Sequence, residues 1–289
     1  MSKTILITGA TGGIGLEAAV ALARQGNRLV LLGRDQRKMG AAVDQVKRRA
    51  GVATAPDSWL CDLGSQAQIH KLAAGVLAKY DRLDVLVNNA GLATRRREVT
   101  EDGIERTFAV NHLGPFLLTN LLLDLLVKSA PARVVNVASS EHYDARMDLA
   151  DLGFARGGWG MAKAYGRSKL GNVLFTRALA RRLEGRGVAV NAVHPGAVAT
   201  GIWDCAPGWM QPMIWLAKKL IMITPEKAAR SIIQLASGAE VEKTGLYFNQ
   251  LEPKEPSKLA HDDELAEKLW AESARMVKLS CPVRHHSSQ

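Results

Sequence analysis

The chain has 289 residues, of which 47% are hydrophobic and 23% are charged, and its formal net charge at pH 7 is +10. These values are typical of a globular protein, and no run of roughly 18 apolar residues predicts a membrane-spanning helix. The basic residues are dispersed over helical stretches without interleaved aromatic residues, which argues against a nucleic-acid partner.

One domain is expected over residues 1–280, because α/β chains of this length commonly form a single domain. The last residues, 281–289, indicate a flexible tail whose two neighbouring histidines make an incomplete metal site. Cys61, Cys205 and Cys281 are odd in number and far apart, so we expect free thiols and no metal. The first predicted strand begins almost at the N-terminus, which leaves no room for a signal peptide and indicates a cytoplasmic protein.

Short apolar runs alternate with helical stretches along the chain, which is the pattern of βαβ units. The pattern predicts an α/β fold with a doubly wound, mostly parallel sheet and helices on both faces. In such sheets ligands bind beyond the carboxyl ends of the strands, so the residues just after each strand should carry the function. The seven predicted strands are 5–8, 28–32, 58–61, 85–88, 133–138, 188–193 and 245–248.

The first strand runs into the sequence ITGATGGIGLEA, in which Gly9, Gly13 and Gly15 have the spacing G-x-x-x-G-x-G. Glycine permits a positive φ and leaves no Cβ in the way, so a large anionic group can approach the main chain at a helix N-terminus. The turn therefore predicts a diphosphate site, although glycine-rich turns also serve tight packing.

The second strand ends in Gly33, which is followed by Arg34 and Asp35. An acidic residue at this strand tip would accept hydrogen bonds from a free ribose 2′-hydroxyl, whereas an arginine accommodates a 2′-phosphate. Arg34 favours NADP over NAD, and the nearby Asp35 keeps NAD open as an alternative.

A helix predicted after the fifth strand contains YGRSK, in which Tyr165 and Lys169 leave the same helical face. An unperturbed tyrosine has a pKa near ~10 and a lysine near ~10.4, so at neutral pH the lysine is a cation that would stabilise a phenolate beside it. The pair predicts a proton donor and acceptor, although Y-x-x-x-K on a helix also occurs as an exposed pair.

Six motifs occur in order: TGATGGIG, NNAG, FAVNHLGPFLLT, VVNVASS, YGRSK and HPGAVAT. Together they resemble the short-chain dehydrogenase/reductase family over essentially residues 3–250. The resemblance implies a Rossmann-type sheet, a nicotinamide cofactor, and hydride transfer to or from a carbonyl or alcohol carbon.

The resemblance also implies a catalytic tetrad of Asn111, Ser140, Tyr165 and Lys169. In that assignment Ser140 hydrogen-bonds the substrate oxygen and Tyr165 passes it the proton. Lys169 holds the nicotinamide ribose and depresses the tyrosine pKa, and Asn111 anchors a water that joins this lysine to solvent. Ser139 is the alternative serine, and the second of the pair matches the family's usual placement.

By the same resemblance the glycine turn surrounds the diphosphate, Asp62 meets the adenine, and the PGAVAT segment faces the nicotinamide. The strand end at Asn88 also lines the cleft. The expected cofactor-binding residues are Gly9, Thr11, Gly13, Ile14, Gly15, Arg34, Asp62, Leu63, Asn89, Ala90, Gly91, Pro195, Gly196, Val198 and Thr200, together with Tyr165 and Lys169.

The serine and the tyrosine of the family are mostly about a dozen residues apart, but here Ser140 and Tyr165 are 25 positions apart, so residues 141–164 contain an insertion. The long spacing resembles the branch that contains retinol dehydrogenases, the WW-domain oxidoreductase and the light-dependent protochlorophyllide reductases. A retinol-dehydrogenase-like reductase is the best match within it.

Residues at about 201–224 are interpreted as a lid over the substrate cleft, because Trp203, Trp209, Trp215, Met213 and Leu216 could wall a large apolar pocket. Two alternatives stay open: contact with an anionic membrane, helped by two neighbouring lysines, and plain packing or a dimer contact. A homodimer is also open along the apolar sequence LTNLLLDLL.

The sequence therefore predicts an NADP(H)-dependent oxidoreductase acting on a lipophilic carbonyl or alcohol substrate, with reduction as the favoured direction. Two alternatives remain: a non-catalytic NADP-binding regulator, and a basic scaffold for a membrane or nucleic acid.

Overall fold

The computed structural model describes residues 2–198, 222–238 and 243–279. Predictions that concern Thr200, residues 201–221 of the lid, Cys205, Cys281 and the tail 281–289 lie outside these residues.

One mostly parallel sheet runs through the molecule with the strand order β3-β2-β1-β4-β5-β6-β7-β8. The chain crosses back over β1 between β3 and β4, so the strand order reverses there and a crevice opens at the carboxyl ends of the strands. The doubly wound α/β prediction is confirmed. The strands are β1 Thr4–Thr8, β2 Arg28–Gly33, β3 Asp57–Leu60, β4 Val85–Asn88, β5 Ala132–Val137, β6 Val188–His194, β7 Tyr247–Asn249 and β8 Glu252–Pro253.

The described sheet has eight strands, so the prediction of seven was wrong by one. The additional strand, β8, is antiparallel to β7 and pairs Glu252 with Asn249. It is two residues long, exposed and ends in a proline, so it has no apolar periodicity that would predict a strand.

Helices cover both faces of the sheet. They are α1 Gly13–Arg24, α2 Gln36–Ala50, α3 Gln66–Lys79, α4 Arg106–Phe108, α5 Gly114–Leu121, α6 Leu123–Lys128, α7 Met161–Arg182, α8 Pro225–Ser237 and α9 Asp263–Met276, with a π-helical turn at Ala109–Leu113 and 3-10 turns at Ser140–His142, Leu149–Asp151 and Lys258–His261. In the described part of the chain no helix is long and apolar enough to cross a lipid bilayer.

Strand β1 shows why the central strands have continuous apolar sequences. Ile5 and Ile7 belong to the core beneath α1, α2 and α8, whereas Leu6 belongs to the core on the opposite face, beneath α3, α5, α7 and α9. Alternate side chains of a strand point to opposite faces, and both faces are covered. The polar residues that follow the strands are therefore carried on a rigid, doubly buried support.

Helix α9 covers the outer side of the long helix α7. Its Trp270 packs edge-on against Phe116 of α5, with ring centroids 4.9 Å apart, and against Phe175 of α7 at 5.7 Å. Glu267 pairs with Arg181 and Arg182 of α7. Helix α9 thus shields the aromatic side chains of Phe116 and Phe175 within the same chain, and the homodimer along LTNLLLDLL stays a prediction.

The insertion before α7 is tied to the body of the protein. Arg167 donates to the carbonyl oxygen of Asp151 at 2.6 Å, and its guanidinium lies 3.7 Å from the ring centroid of Phe154. Arg97 donates to the carbonyl of Gly153 at 2.8 Å. These contacts order the chain that leads into α7.

Candidate active site

A cleft of ≈ 770 Å³ opens at the carboxyl ends of the strands. Its walls come from the segments that follow β1, β2, β3, β4, β5 and β6 and from the first turns of α7. Of the residues predicted from the sequence, those that line it are Gly9, Thr11, Gly13, Ile14, Arg34, Asp62, Leu63, Asn89, Ala90, Gly91, Ser140, Tyr165, Lys169, Pro195, Gly196 and Val198.

Three predicted residues stand apart from the cleft wall. Gly15 is buried in α1 and Asn111 is fully buried behind the cleft. Asn88 is also buried, and its amide donates to Thr119 at 3.0 Å and to Asn136 at 2.8 Å. Its role in this structure is to join β4 to its neighbours beneath the cleft.

The glycine turn after β1 combines close packing with an open face. Gly9 has a φ of 68°, and a Cβ there would lie 2.8 Å from the Cα of Ala90, so no larger residue fits between the two loops. A Cβ at Gly12 would meet no atom within 4 Å. Helix α1 starts at the next residue with no side chain capping its free N–H groups. The turn therefore offers an uncapped helix N-terminus to an anionic group.

The tip of β2 carries positive charge on the cleft wall. Arg34 and Lys38 line the cleft, and the described residues provide no carboxylate partner for either side chain. The carboxylate of Asp35 caps α2 by accepting the Lys38 backbone N–H at 2.9 Å. Hydrogen bonds from the backbone N–H groups of Lys38 and Arg37 lower the pKa of Asp35. A Cβ at Gly33 would lie 2.5 Å from the methyl group of Thr11. Packing thus excludes an acidic side chain from the strand tip itself.

Asp62, at the end of β3, is held in place on the cleft wall. One carboxylate oxygen accepts the backbone N–H of Gly64 at 2.8 Å, and the other lies 3.1 Å from the guanidinium of Arg106. Asn89 is fixed in a similar way, because its amide donates to the carbonyl of Thr8 at 2.8 Å. Both side chains brace the loops that form this half of the cleft.

Tyr165 lies in the second turn of α7, where the side chain lines the cleft. Burial of the phenol raises its pKa to about 12, a hydrogen bond with the Ser139 side chain lowers it, and the charge of Glu141 raises it. The phenol is therefore protonated at neutral pH and can donate a proton. Depression of this pKa by Lys169, which the resemblance implied, is not among its causes in the protein alone.

Lys169 follows one turn later on α7 and is only 2% exposed. Its Nζ donates to the carbonyl oxygen of Val137 at 2.9 Å and lies 5.5 Å from the centroid of the Tyr165 ring. Burial lowers its pKa to about 8. A Cβ at Gly91 would lie 3.4 Å from this Nζ and 3.5 Å from the Asn111 side-chain oxygen, so both groups lie beside the loop that carries Gly91.

Asn111 lies in the π-helical turn between α4 and α5. Its side-chain oxygen accepts the backbone N–H of Leu92 at 2.8 Å, and its amide donates to the carbonyl of the same residue at 2.8 Å and to Ser168 at 3.0 Å. The extra residue of a π turn redirects side chains and often marks a functional position. Here it directs this asparagine at the loop that carries Gly91.

The structure distinguishes the two serines after β5. Ser139 has extended backbone and is 8% exposed, and its side chain interacts with the Tyr165 phenol and lowers the pKa of that phenol. Ser140 begins the 3-10 turn and is exposed, although it also lines the cleft. This interaction favours Ser139, the alternative serine of the sequence, over Ser140 as the partner of Tyr165. The reason is that the chain turns away from the sheet one residue after Ser139.

Two histidines that sequence reasoning missed stand behind these groups. His142 is buried, and its Nδ1 donates to the carbonyl oxygen of Ser139 at 2.7 Å. Its Nε2 accepts a hydrogen bond of 3.1 Å from the backbone N–H of Ser257. His194, at the end of β6, lines the cleft, and burial lowers its pKa to about 4. Both are neutral at pH 7. His194 ends β6, and this position was its only sequence signal; His142, Glu141 and Lys38, which were also missed, lie in a turn or helix beyond the strand ends and had none.

The matching family is the short chain dehydrogenases, which the chain matches over residues 3–209. A relative, retinol dehydrogenase 13 from Homo sapiens, is 41% identical over 97% of this chain and 86% of its own length. A solved structure from Mycobacterium Paratuberculosis is 32% identical, with a TM-score of 0.78 over 96% of this chain and 93% of that one. A short chain dehydrogenase from Shigella flexneri, complexed with NADP, is 26% identical, with a TM-score of 0.67 over 86% and 97%.

The chain belongs to the short chain dehydrogenase family, and it is similar to retinol dehydrogenases within it. The resemblance seen in the six sequence motifs is confirmed. The family makes the chain an oxidoreductase that uses a nicotinamide cofactor.

Proposed function

We propose that this short-chain dehydrogenase is an NADP(H)-dependent reductase of lipophilic carbonyl compounds, with Tyr165 as the proton donor. The observation that supports the proposal best is the convergence, in one cleft, of an uncapped helix N-terminus and a protonated tyrosine hydrogen-bonded to a serine. The helix N-terminus would anchor an anionic cofactor, and the tyrosine would protonate the substrate oxygen. A carbonyl reductase needs both.

The residues present fit a nicotinamide dinucleotide. The open face at Gly12 and the free N–H groups at the start of α1 suit a diphosphate. Asp62 and Leu63 would line the adenine end, and Pro195, Gly196 and Val198 the nicotinamide end. When bound, the reduced cofactor supplies a hydride.

A preference for the 2′-phosphorylated cofactor follows from the charges at the tip of β2. Arg34 and Lys38 are exposed cations on the cleft wall, whereas the strand tip has no room for the carboxylate that would bind a free 2′-hydroxyl. Asp35 uses its carboxylate to cap α2. The solved relative from Shigella flexneri is complexed with NADP, which supports the same choice.

In the proposed mechanism Ser139 and Tyr165 hold the substrate oxygen, and Tyr165 donates its proton as charge develops on that oxygen. Ser139 replaces Ser140 in this role, because its side chain is the one bonded to the phenol. Lys169 keeps N–H donors beyond its bond to Val137 that can hold a ribose hydroxyl and stabilise the phenolate left behind. Asn111 positions the Gly91 loop against this lysine.

A lipophilic substrate class is supported by the substrate end of the cleft. Leu92, Ala93, Met161 and Ala162 are apolar residues of the cleft wall. The relative at 41% identity is named a retinol dehydrogenase, which points in the same direction.

The test begins with the cofactor. Energy transfer from tryptophan to bound NADPH and NADH measures the two affinities without any knowledge of the substrate, and tighter binding of NADPH is expected. Loss of NADPH absorbance with a long-chain or aromatic aldehyde then reports turnover. Cofactor binding without turnover of any aldehyde in wild-type protein would favour the regulatory alternative instead.

A further inference from the structure

We propose that Glu141 is a specificity-determining residue that selects against anionic carbonyl substrates and favours substrates with a cationic group near the carbonyl. The proposal rests on the reductase function above and refines the substrate class.

The backbone of Glu141 is fixed at the catalytic end of the cleft. Its N–H donates to the side-chain oxygen of Ser139 at 3.3 Å. Its carbonyl oxygen abuts Gly166, where a Cβ would lie 2.8 Å from it. The residue is thus held between the serine bonded to Tyr165 and the helical position directly after Tyr165, and its exposed side chain lines the cleft.

The charge of Glu141 is not neutralised by any cation in the described residues. The other carboxylates on the cleft wall are occupied, because Asp35 caps α2 and Asp62 pairs with Arg106. Glu141 has no ion pair of this kind, and its charge reaches the Tyr165 phenol strongly enough to raise the pKa of that group. A substrate whose carbonyl oxygen lies at the Tyr165 phenol is therefore also exposed to the negative charge of Glu141.

The charged and titratable groups of the described residues at this end of the cleft are Lys163, Lys169, Lys254, His142 and His194, and none of them forms an ion pair with Glu141. Lys163, on the first turn of α7, is directed towards the carbonyl of Gly158 at 3.5 Å. Lys169 is buried, with its Nζ on Val137. His142 and His194 are neutral at pH 7, because burial lowers the pKa of each. Lys254 lies farther out, over the ring of Tyr143 at 5.3 Å.

The field of one carboxylate in a partly solvated cleft is modest and depends on salt. At a separation of about 9 Å and an effective dielectric of about 50, it changes the affinity of a singly charged ligand by about threefold in either direction. The ratio between a cationic and an anionic substrate of equal size therefore changes by about tenfold.

The experiment compares three aldehydes with the same ring: benzaldehyde, 4-formylbenzoate and 4-formyl-N,N,N-trimethylanilinium. For each, kcat/KM is measured with saturating NADPH at pH 7 in low and high salt. We expect the cation-to-anion ratio in wild-type protein to exceed that of Glu141→Gln by about tenfold in low salt, with the difference shrinking in high salt. Glu184→Gln removes the same charge from an exposed site beyond the far end of α7 and should keep the wild-type ratio.

Calorimetric titration of the same compounds into the protein with NADPH provides a second readout that needs no turnover. Equal ratios in wild-type protein and Glu141→Gln, by rate or by affinity, would overturn the inference. If wild-type protein reduced no aldehyde, the reductase proposal would fail, and the affinities alone would still decide whether Glu141 discriminates by charge.

Discussion

The two ends of the cleft are built by different means. The cofactor end, made of residues 9–15 with Arg34 and Lys38, consists of bare backbone and exposed cations. The proposed catalytic end, made of Ser139, Tyr165 and Lys169 with Asn111 behind them, combines three buried side chains with the half-buried Tyr165, and hydrogen bonds of Asn111 and Lys169 reach neighbouring elements. The difference teaches that an anion can be bound by local backbone geometry, whereas proton transfer requires side chains assembled from distant parts of the chain.

The sharpest way to separate the two ends is Tyr165→Phe. The change removes the proton donor and nothing at the cofactor end, so kcat for aldehyde reduction should fall by about 10²–10⁴-fold while NADPH affinity stays within about twofold. Loss of NADPH absorbance measures the first and tryptophan energy transfer the second. A variant that kept its turnover would remove Tyr165 from the mechanism.

The choice between the two serines comes next in size. Ser139→Ala removes the hydroxyl bonded to the phenol and should lower kcat by about 10²-fold, whereas Ser140→Ala should change it by no more than about threefold. The two variants are matched controls for each other, since they are adjacent and remove the same atom. The reverse order of effects would restore the assignment to Ser140.

The pH dependence of the free energy of unfolding tests the catalytic end of the cleft through His112, the residue next to Asn111. This ring is buried, its Nε2 lies 3.0 Å from the Ser273 hydroxyl of α9, and burial lowers its pKa to about 4. The unfolded chain therefore binds the proton first as the pH falls below about 6.5, and the folded state loses about 2 kcal/mol between pH 7 and pH 5 from this group alone.

Urea unfolding at the two pH values measures this loss. His112→Phe keeps an aromatic ring among Phe108, Phe116 and Phe175 and should show a loss smaller by that amount. His70→Asn, at an exposed position, should keep the wild-type loss. If both variants behaved alike, buried His112 would not be the titrating group.

The smallest effect is expected at the cofactor end. Arg34→Gln should weaken NADPH binding by about tenfold and leave NADH binding within about twofold, because an exposed arginine on a phosphate makes a charge-assisted but solvated contact. Arg37→Gln changes an exposed arginine in the first turn of α2 that does not line the cleft, and should alter neither affinity. Equal weakening of both cofactors would contradict a 2′-phosphate contact.

The sequence predicted the cofactor end more completely than the catalytic end. The turn at residues 9–15 is local, since its function follows from glycine conformation and helix polarity within a few residues. Arg34 could also be assigned from local sequence, because it directly follows the end of β2. The sheet order was also accessible, because continuous apolar runs separated by helices permit few other arrangements.

The catalytic end could not be read in the same way. Which of Ser139 and Ser140 meets Tyr165 depends on where β5 stops and a 3-10 turn begins, and an insertion separates them from α7. The pKa of Tyr165 was expected to be lowered by Lys169, but desolvation by surrounding elements raises it, and Lys169 is not among its causes. The covering of α7 by α9 had no local signal, because it joins residues roughly a hundred positions apart.

That covering has a consequence for how the protein is made. A ribosome releases the glycine turn and α1 early, and the cofactor half of the sheet can form while the rest of the chain is still being translated. Helix α7 is complete at Arg182, but the indole of Trp270 that shields Phe116 and Phe175 follows many residues later. The apolar face of α7 that Trp270 shields therefore stays uncovered on the nascent chain until α9 has been synthesised.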